Sequence, residues 1–347
     1  MSRHVLCVRL DSAGDVLLTG PAIRAVAHGT GELTLLCGPR GRAAAELLPG
    51  VDRLIEWCAP WIDPEPPPVR AGELDALEAR ISALVPDAAV LFTSFHQSAL
   101  PLALLLRRAG VPMIAAISDD YPGSLLDLRH WVPDGIPEPE RALSLAAAAG
   151  YPLPADDDGR LRLRESLPDV SALLGAVPDG YVVLHPGASV PARSWPERRC
   201  AEAVDALTRA GYPVVVTGSR AERGLTSRVA ADRAALDLGG KTRLDELAAV
   251  LAGASAMVVA NTGPAHLAAA VGTPVVSLFA PTVPASAWAP YRVPSVLLGD
   301  QDAECRRTRA TTCQVPGHPC LASVTADDVV AAVESLLGAA GDREGAA

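Results

Sequence analysis

Four short segments of this 347-residue chain place small residues, hydroxyls and charges where phosphate or proton chemistry needs them. The first is Asp11-Ser12-Ala13-Gly14-Asp15. Gly14 permits a tight turn, and the helix expected after it offers free N–H groups to an anion. Asp15 lies near that positive helix end, which favours its carboxylate form and leaves it available as a base; helix capping by Asp15 or Ser12 is the equal alternative. The second segment is His185-Pro186-Gly187-Ala188-Ser189, followed by Arg193-Ser194-Trp195-Pro196. Gly187 and Ser189 can bring backbone N–H groups and a hydroxyl to a phosphate, and Arg193 supplies a planar, permanent cation for a diphosphate. The third, Thr217 to Glu222, offers Glu222 either to ribose hydroxyls or to the cap of its own helix. The fourth, Asn261-Thr262-Gly263-Pro264-Ala265-His266, has the pattern of a phosphate loop. Gly263 admits a ligand closely and Pro264 opens a helix whose amides point at it. His266, one turn in, is open to both a packing and a ligand-facing reading.

These segments need strands to deliver them. The run His4 to Leu10 is short, apolar and β-rich, and further strands are expected at 33–37, 52–56, 88–92 and 112–116. Ala/Leu-rich helices are expected between them at 40–48, 71–84 and 97–109. After a Pro/Gly/Asp-rich stretch from 118 to 175 around one helix at 138–150, a second alternation starts at Tyr181. Its strands are expected at 181–184, 213–217, 235–238, 256–260 and 274–279, with helices at 196–210, 221–233, 243–253 and 263–271. Strand and helix alternating in this way imply parallel sheets covered on both faces, and each segment above falls at a strand's carboxyl end, where such folds bind ligands. The expectation is an α/β chain of two Rossmann-like doubly wound domains facing across a cleft. The first would span residues 1–172 and the second 173–324, and residues 325–347 would form a helix starting after Thr325 plus a tail.

Composition narrows the function classes. A formal charge of −10 argues against a nucleic acid as partner by bulk electrostatics. The opening residues lack a secretory pattern and the chain has no uninterrupted apolar run of about 18 residues, so no integral membrane segment and a cytoplasmic location are expected. Seven scattered cysteines fit reduced thiols better than a disulfide framework. Cys305, Cys313 and Cys320 with His318 cluster in sequence, but their spacing matches no common zinc pattern, so no metal is assigned.

Taken together the segments resemble glycosyltransferase family nine, the heptosyltransferases, over both halves of the chain in order. The resemblance rests on Val8-Arg9-Leu10 through Gly14-Asp15-Val16-Leu17-Leu18-Thr19 with Pro21-Ala22, then His185 to Ala188, Trp195-Pro196, Gly240-Lys241-Thr242 with Leu244, Asn261 to Ala270, Gly272-Thr273-Pro274 and Phe279-Ala280-Pro281-Thr282. It implies a GT-B fold, in which residues 1–172 would bind the acceptor, residues 173–324 the donor, and the helix after Thr325 would cross back to the first domain. It also implies inverting transfer of heptose or a related sugar from an ADP-sugar donor to a hydroxyl acceptor. That acceptor would be lipopolysaccharide core, a natural product or another glycan. It implies Asp15 as catalytic base, and donor contacts from Gly14, Gly187, Ala188, Ser189, Arg193, Glu222, Thr242, Asn261, Thr262, Gly263 and His266. No cofactor is implied beyond the ADP-sugar substrate, because helix N-termini and Arg193 can stabilise the leaving diphosphate.

Two positions depart from the family pattern: Asn261 stands where Asp is common, and Arg193 near the usual Lys. The acceptor side, about 40–70 and 118–140 with Trp57, Trp61 and Pro66-Pro67-Pro68, matches no motif. A GT-B enzyme using a UDP- or GDP-sugar, and a non-catalytic sugar-nucleotide-binding protein, are the competing functions. With the donor contacts in one half and the base in the other, domain closure on donor binding is expected.

Overall fold

The structure, a computed structural model, describes residues 3–344, with side-chain exposure to residue 339. It divides into two compact units, Met1–Arg164 and Glu165–Ala347. In the first, β1 (His4–Arg9), β2 (Glu32–Cys37), β3 (Arg53–Glu56), β4 (Ala88–Leu91), β5 (Ile114–Ile117) and β6 (Leu128–His130) form one sheet in the order β3-β2-β1-β4-β5-β6. Every pairing is parallel. The central strands read as near-continuous Val, Leu and Ala because helices cover both faces, and Val5, Leu6, Cys7, Ala88 and Ala89 are wholly buried.

The second unit repeats the plan with β7 (Val182–His185), β8 (Val214–Val216), β9 (Ala235–Asp237), β10 (Ala256–Ala260), β11 (Val275–Leu278) and β12 (Ser295–Leu298). Its order is β12-β11-β10-β7-β8-β9, again all parallel. Counted from the first strand of each unit, both sheets have the order 3-2-1-4-5-6 of dinucleotide-binding folds. In that order the chain reverses direction between the first and fourth strands, leaving a crevice beyond their carboxyl ends. For the first unit this point lies between β1 and β4, and for the second between β7 and β10.

Three expectations need adjustment. The two units meet between Arg164 and Glu165, upstream of the expected boundary after residue 172. Two edge strands, β6 and β12, were not expected: β6 is only Leu128-Arg129-His130, and its polar residues hide the strand pattern. The helix expected to cross back to the first domain belongs instead to the second unit. Helix Ala326–Glu344 buries Val329, Val333 and Leu336 in the same core as Trp195, Val204 and Leu278, because its apolar stripe matches the face of β10, β11 and helix Glu197–Arg209. The expected tail beyond residue 344 lies outside the described residues.

Candidate active site

In the first unit β1 carries an arginine, Arg9, at its carboxyl end, and the helix Ala13–His28 starts four residues later. A charge in a buried strand requires counter-charges. Arg9 is 2% exposed and is surrounded by them. Its Nε lies 2.9 Å from Asp11 Oδ2, close enough for an ion pair though not aligned as a hydrogen bond. Its Nη2 donates to Asp15 Oδ1 at 3.1 Å and to Ser94 Oγ at 2.9 Å, and faces Glu138 Oε2 at 3.8 Å. Burial works against the Arg9 charge, but Asp11, Asp15 and Glu138 outweigh it and raise the guanidinium pKa.

Asp15 is held from both sides. Ser12 Oγ donates to Asp15 Oδ2 at 2.7 Å and Arg9 to Oδ1, while the Asp15 side chain keeps 21% of its surface exposed. Ser12 is the N-cap residue, yet its hydroxyl makes no cap bond and turns to Asp15, so capping by Ser12 is set aside. Gly14 is buried in the first helical turn and is not among the positive-φ glycines, so the tight turn expected of it is absent. Asp11, beneath, accepts from the Gln97 side chain and from Ser94 Oγ at 3.4 Å; burial pushes its pKa up, and Arg9 pulls against that. Ser94 and Gln97 follow β4, which places the whole group at the β1/β4 crevice. Arg9, Asp11, Ser94 and Glu138 were not predicted as site residues. Arg9 carried a legible signal, a cation inside HVLCVR, whereas Glu138 carried none.

In the second unit β7 ends at His185 and the chain loops through Gly187, Ala188 and Ser189 to a turn at Pro191–Arg193. Buried Trp195 then anchors the segment, its Nε1 donating to the Leu321 carbonyl at 3.1 Å. A Cβ on Gly187 would fall 1.9 Å from Glu222 Oε1, so glycine is what lets the Glu222 carboxylate lie against this loop. Glu222 Oε2 accepts from the Ser219 N–H at 2.7 Å and lies 3.9 Å from His185 Nε2. His185 Nδ1 is paired with Thr217 Oγ1 at 3.1 Å; burial lowers its pKa, while Glu222 opposes that shift. Glu222 thus fastens its own turn, one of the two roles considered for it, and at the same time lines the loop after β7.

The fourth segment leaves β10, the neighbour of β7. Asn261 is 3% exposed and its Nδ2 has no hydrogen-bond partner among the described residues. Thr262 is the extended N-cap of helix Gly263–Ala270, with no side-chain cap bond and Pro264 in the first turn. His266 is 4% exposed, one turn in. On the other side, Gly240 at φ +64° donates its N–H to the Gly218 carbonyl at 2.7 Å, which brings the Lys241-Thr242 turn beside the Ser219–Glu222 turn. Thr242 is half-buried there. Apart from Gly14, the residues expected to contact the donor therefore lie along one edge of four adjacent strands, β10-β7-β8-β9. Asp15 and Gly14 occupy the corresponding edge of the first unit.

Cys305 and Cys320 are buried in the second unit's core, and Cys313 donates to the Val315 carbonyl at 3.4 Å. Among the described residues no three His, Cys, Asp or Glu side chains are grouped to hold a metal, and no helix is long and apolar enough to cross a membrane.

Residues 95–318 match the family model described as glycosyltransferase family 9 (heptosyltransferase), a range that contains Gly187 to His266 but not β1, Gly14 or Asp15. Lipopolysaccharide heptosyltransferase 3 of Escherichia coli is 32% identical over 46% of this chain and 47% of its own length. Lipopolysaccharide heptosyltransferase 1 of Pseudomonas aeruginosa is 34% identical over 62% of this chain and 61% of its own. The matches thus span about half to three-fifths of those relatives. The solved structure of E. coli ADP-heptose lps heptosyltransferase II superimposes with a TM-score of 0.76 over 96% of this chain and 98% of that one, at 21% identity. That likeness establishes the fold, the two-domain α/β arrangement called GT-B.

Proposed function

We propose, on the premise that this chain belongs to glycosyltransferase family 9, the heptosyltransferases, that it transfers heptose or a related sugar from an ADP-sugar to a hydroxyl acceptor with inversion at the anomeric carbon. The observation that carries this reading is the crevice beyond β7 and β10. There a helix N-terminus without a side-chain cap and the buried Asn261 Nδ2, which has no hydrogen-bond partner among the described residues, follow β10, next to the strand β7 that leads into the glycine loop at Gly187. Buried donors without acceptors are costly to keep unless a ligand meets them, and a diphosphate is the ligand whose oxygens suit N–H groups and a guanidinium.

In this reading the N–H groups of Gly263–Ala270, with Thr262, Arg193 and His266, take the diphosphate, and Gly187, Ala188 and Ser189 close over it. Glu222 and Thr242 face the ribose. Asp15 accepts the acceptor hydroxyl's proton; the acceptor oxygen bonds to the anomeric carbon, and the bond to the diphosphate breaks with its electron pair leaving on ADP. Charge developing on that leaving oxygen is met by dipoles already in place. Asn261 contributes a neutral donor where a carboxylate is common in the family. The reading assigns no step to a metal. Because the named relatives act on lipopolysaccharide, a sugar hydroxyl of its core is the first acceptor to try.

The test is Asp15→Asn, assayed for ADP release from ADP-heptose with heptose-free lipopolysaccharide core. ADP affinity should persist while turnover falls by about 10²- to 10⁴-fold, the usual worth of a general base. Unchanged turnover would remove Asp15 from the role.

A further inference from the structure

One nitrogen in the first unit serves more partners than it can satisfy. Arg9 Nη2 lies 3.1 Å from Asp15 Oδ1, 2.9 Å from Ser94 Oγ and 3.8 Å from Glu138 Oε2. Glu138 is 4% exposed and arrives from far along the chain as the first residue of helix Glu138–Ala148, which packs along the helix bearing Asp15. A buried carboxylate is costly, and the sequence around it, IPEPE, would support a helix start equally well with the exposed Glu140 as its acidic residue. Its position beside Arg9 therefore needs a reason other than helix capping.

The charges around this group come from several elements. Arg9 comes from β1 and Asp11 from the loop after it; Asp15 comes from the helix Ala13–His28, and Glu138 and Arg141 from the helix packed on it. Arg141 donates to the Thr93 carbonyl and acts on Glu138; Asp119, after β5, acts on Arg141. His130, the last residue of β6, pairs with Ser144 Oγ at 2.6 Å, and burial, with Arg141, lowers its pKa. Arg24, the other cation of Asp15's helix that lies near this packing, is committed to Asp157 at 2.7 Å. Around Arg9 and Arg141 thus lie the carboxylates of Asp11, Asp15, Glu138 and Asp119. An arginine paired with one carboxylate alone would make it a poor base, since a close cation lowers a carboxyl pKa by about one to three units.

We propose that Glu138 is a positioning residue for the base: by drawing on Arg9 Nη2 it limits how far that cation holds Asp15 ionised, and so keeps Asp15 able to take the acceptor's proton. The inference rests on Asp15 being the base. Glu138 touches neither substrate nor reacting atom and acts through Arg9. Burial, the larger influence, pushes the Glu138 pKa up, with Arg9 and Arg141 pulling it down, as expected of a carboxylate sharing rather than owning its cation.

The experiment is a carbon-13 titration of the full chain labelled at Asp carboxyls, with the Asp15 signal assigned by its loss in Asp15→Asn. In Glu138→Gln the Asp15 midpoint should fall by about one pH unit, and Glu138→Asp should restore most of it. The acid limb of ADP release from ADP-heptose should move down in parallel in Glu138→Gln, with kcat reduced about threefold by the weaker base. An Asp15 midpoint unmoved in folded Glu138→Gln overturns the proposal. Should that variant not fold, the wild type decides. Its Asp15 signal should show a second inflection at the Glu138 midpoint, read from Glu-labelled protein, and a single inflection overturns the coupling. Failure of the base reading itself would appear separately, as turnover retained in Asp15→Asn.

Discussion

At the scale of single residues, two side chains hold the rest in place. Arg9 neutralises buried Asp11 and Glu138, so Arg9→Met leaves carboxylates buried without their cation. It should cost about 3–5 kcal/mol of stability, measured by urea unfolding at pH 7. A loss within 1 kcal/mol of wild type would mean the network is more hydrated than its burial implies. Gly187 has the opposite role, that of absence: a methyl there meets Glu222 Oε1 at 1.9 Å. Gly187→Ala should displace the Glu222 carboxylate and weaken ADP binding about tenfold or more, and adding Glu222→Ala should make the two losses less than additive. Strictly additive losses would show that the two residues do not share the donor loop. The strand-end placement of Asp15, Glu222 and the residues from Asn261 to His266 was legible in the sequence because apolar runs mark the strands and glycine, proline and hydroxyl residues mark the turns after them. Glu138 was not, because nothing local marks a residue whose partner is supplied by another strand.

At the scale of elements, what needs explaining is how helices reach the strands they serve. The helix bearing Asp15 is tied by Arg24, whose Nε and Nη2 bond Asp157 Oδ2 and Oδ1 at 2.7 and 2.8 Å with both side chains largely buried. That bidentate bond, against the smaller cost of burial, lowers the Asp157 pKa from 3.8 to about 2. A depressed carboxyl pKa contributes stability that is present above the unfolded value near 4 and lost as pH falls toward 2. Arg24→Ala should therefore cost about 2 kcal/mol at pH 7, with the difference from wild type shrinking between pH 4 and pH 2 in urea titrations; an equal difference at both ends would contradict the pairing. In the second unit, Cys320 is buried beside Cys305 and Cys313, and burial above all raises its pKa to about 11. Its thiol should resist iodoacetamide in the native protein, while half-exposed Cys58 and Cys313 react first by mass spectrometry. Rapid labelling of Cys320 would show that this core opens. The strand positions followed from runs such as AMVVA and HVLCVR, but the edge strands β6 and β12 did not. An edge strand needs only one good neighbour, so its sequence is free to be short, as both are, and polar, as β6 is.

At the scale of the whole molecule, the two units use one strand order twice, and the glycine loop after β7 and the Asn261–His266 segment after β10 flank the crevice that this order creates in the second. Alternation of strand and helix was enough to read the doubly wound plan. It was not enough to place the last helix, because an apolar stripe says that a helix is buried and not which sheet buries it. A buried side-chain stripe at Val329, Val333 and Leu336 supplies that answer in contacts rather than in pattern. The family match covers 95–318, which takes in the segments proposed for the donor and leaves out Asp15. The donor is accordingly the most direct point of test. Purified protein should be heated with excess ADP, UDP, GDP or CDP, since a ligand at one hundred times its dissociation constant adds about 2.7 kcal/mol to the folded state. The account predicts a rise in Tm with ADP that the other nucleotides do not match, and one that Gly187→Ala diminishes; a larger rise with UDP or GDP, or none with any nucleotide, would contradict it.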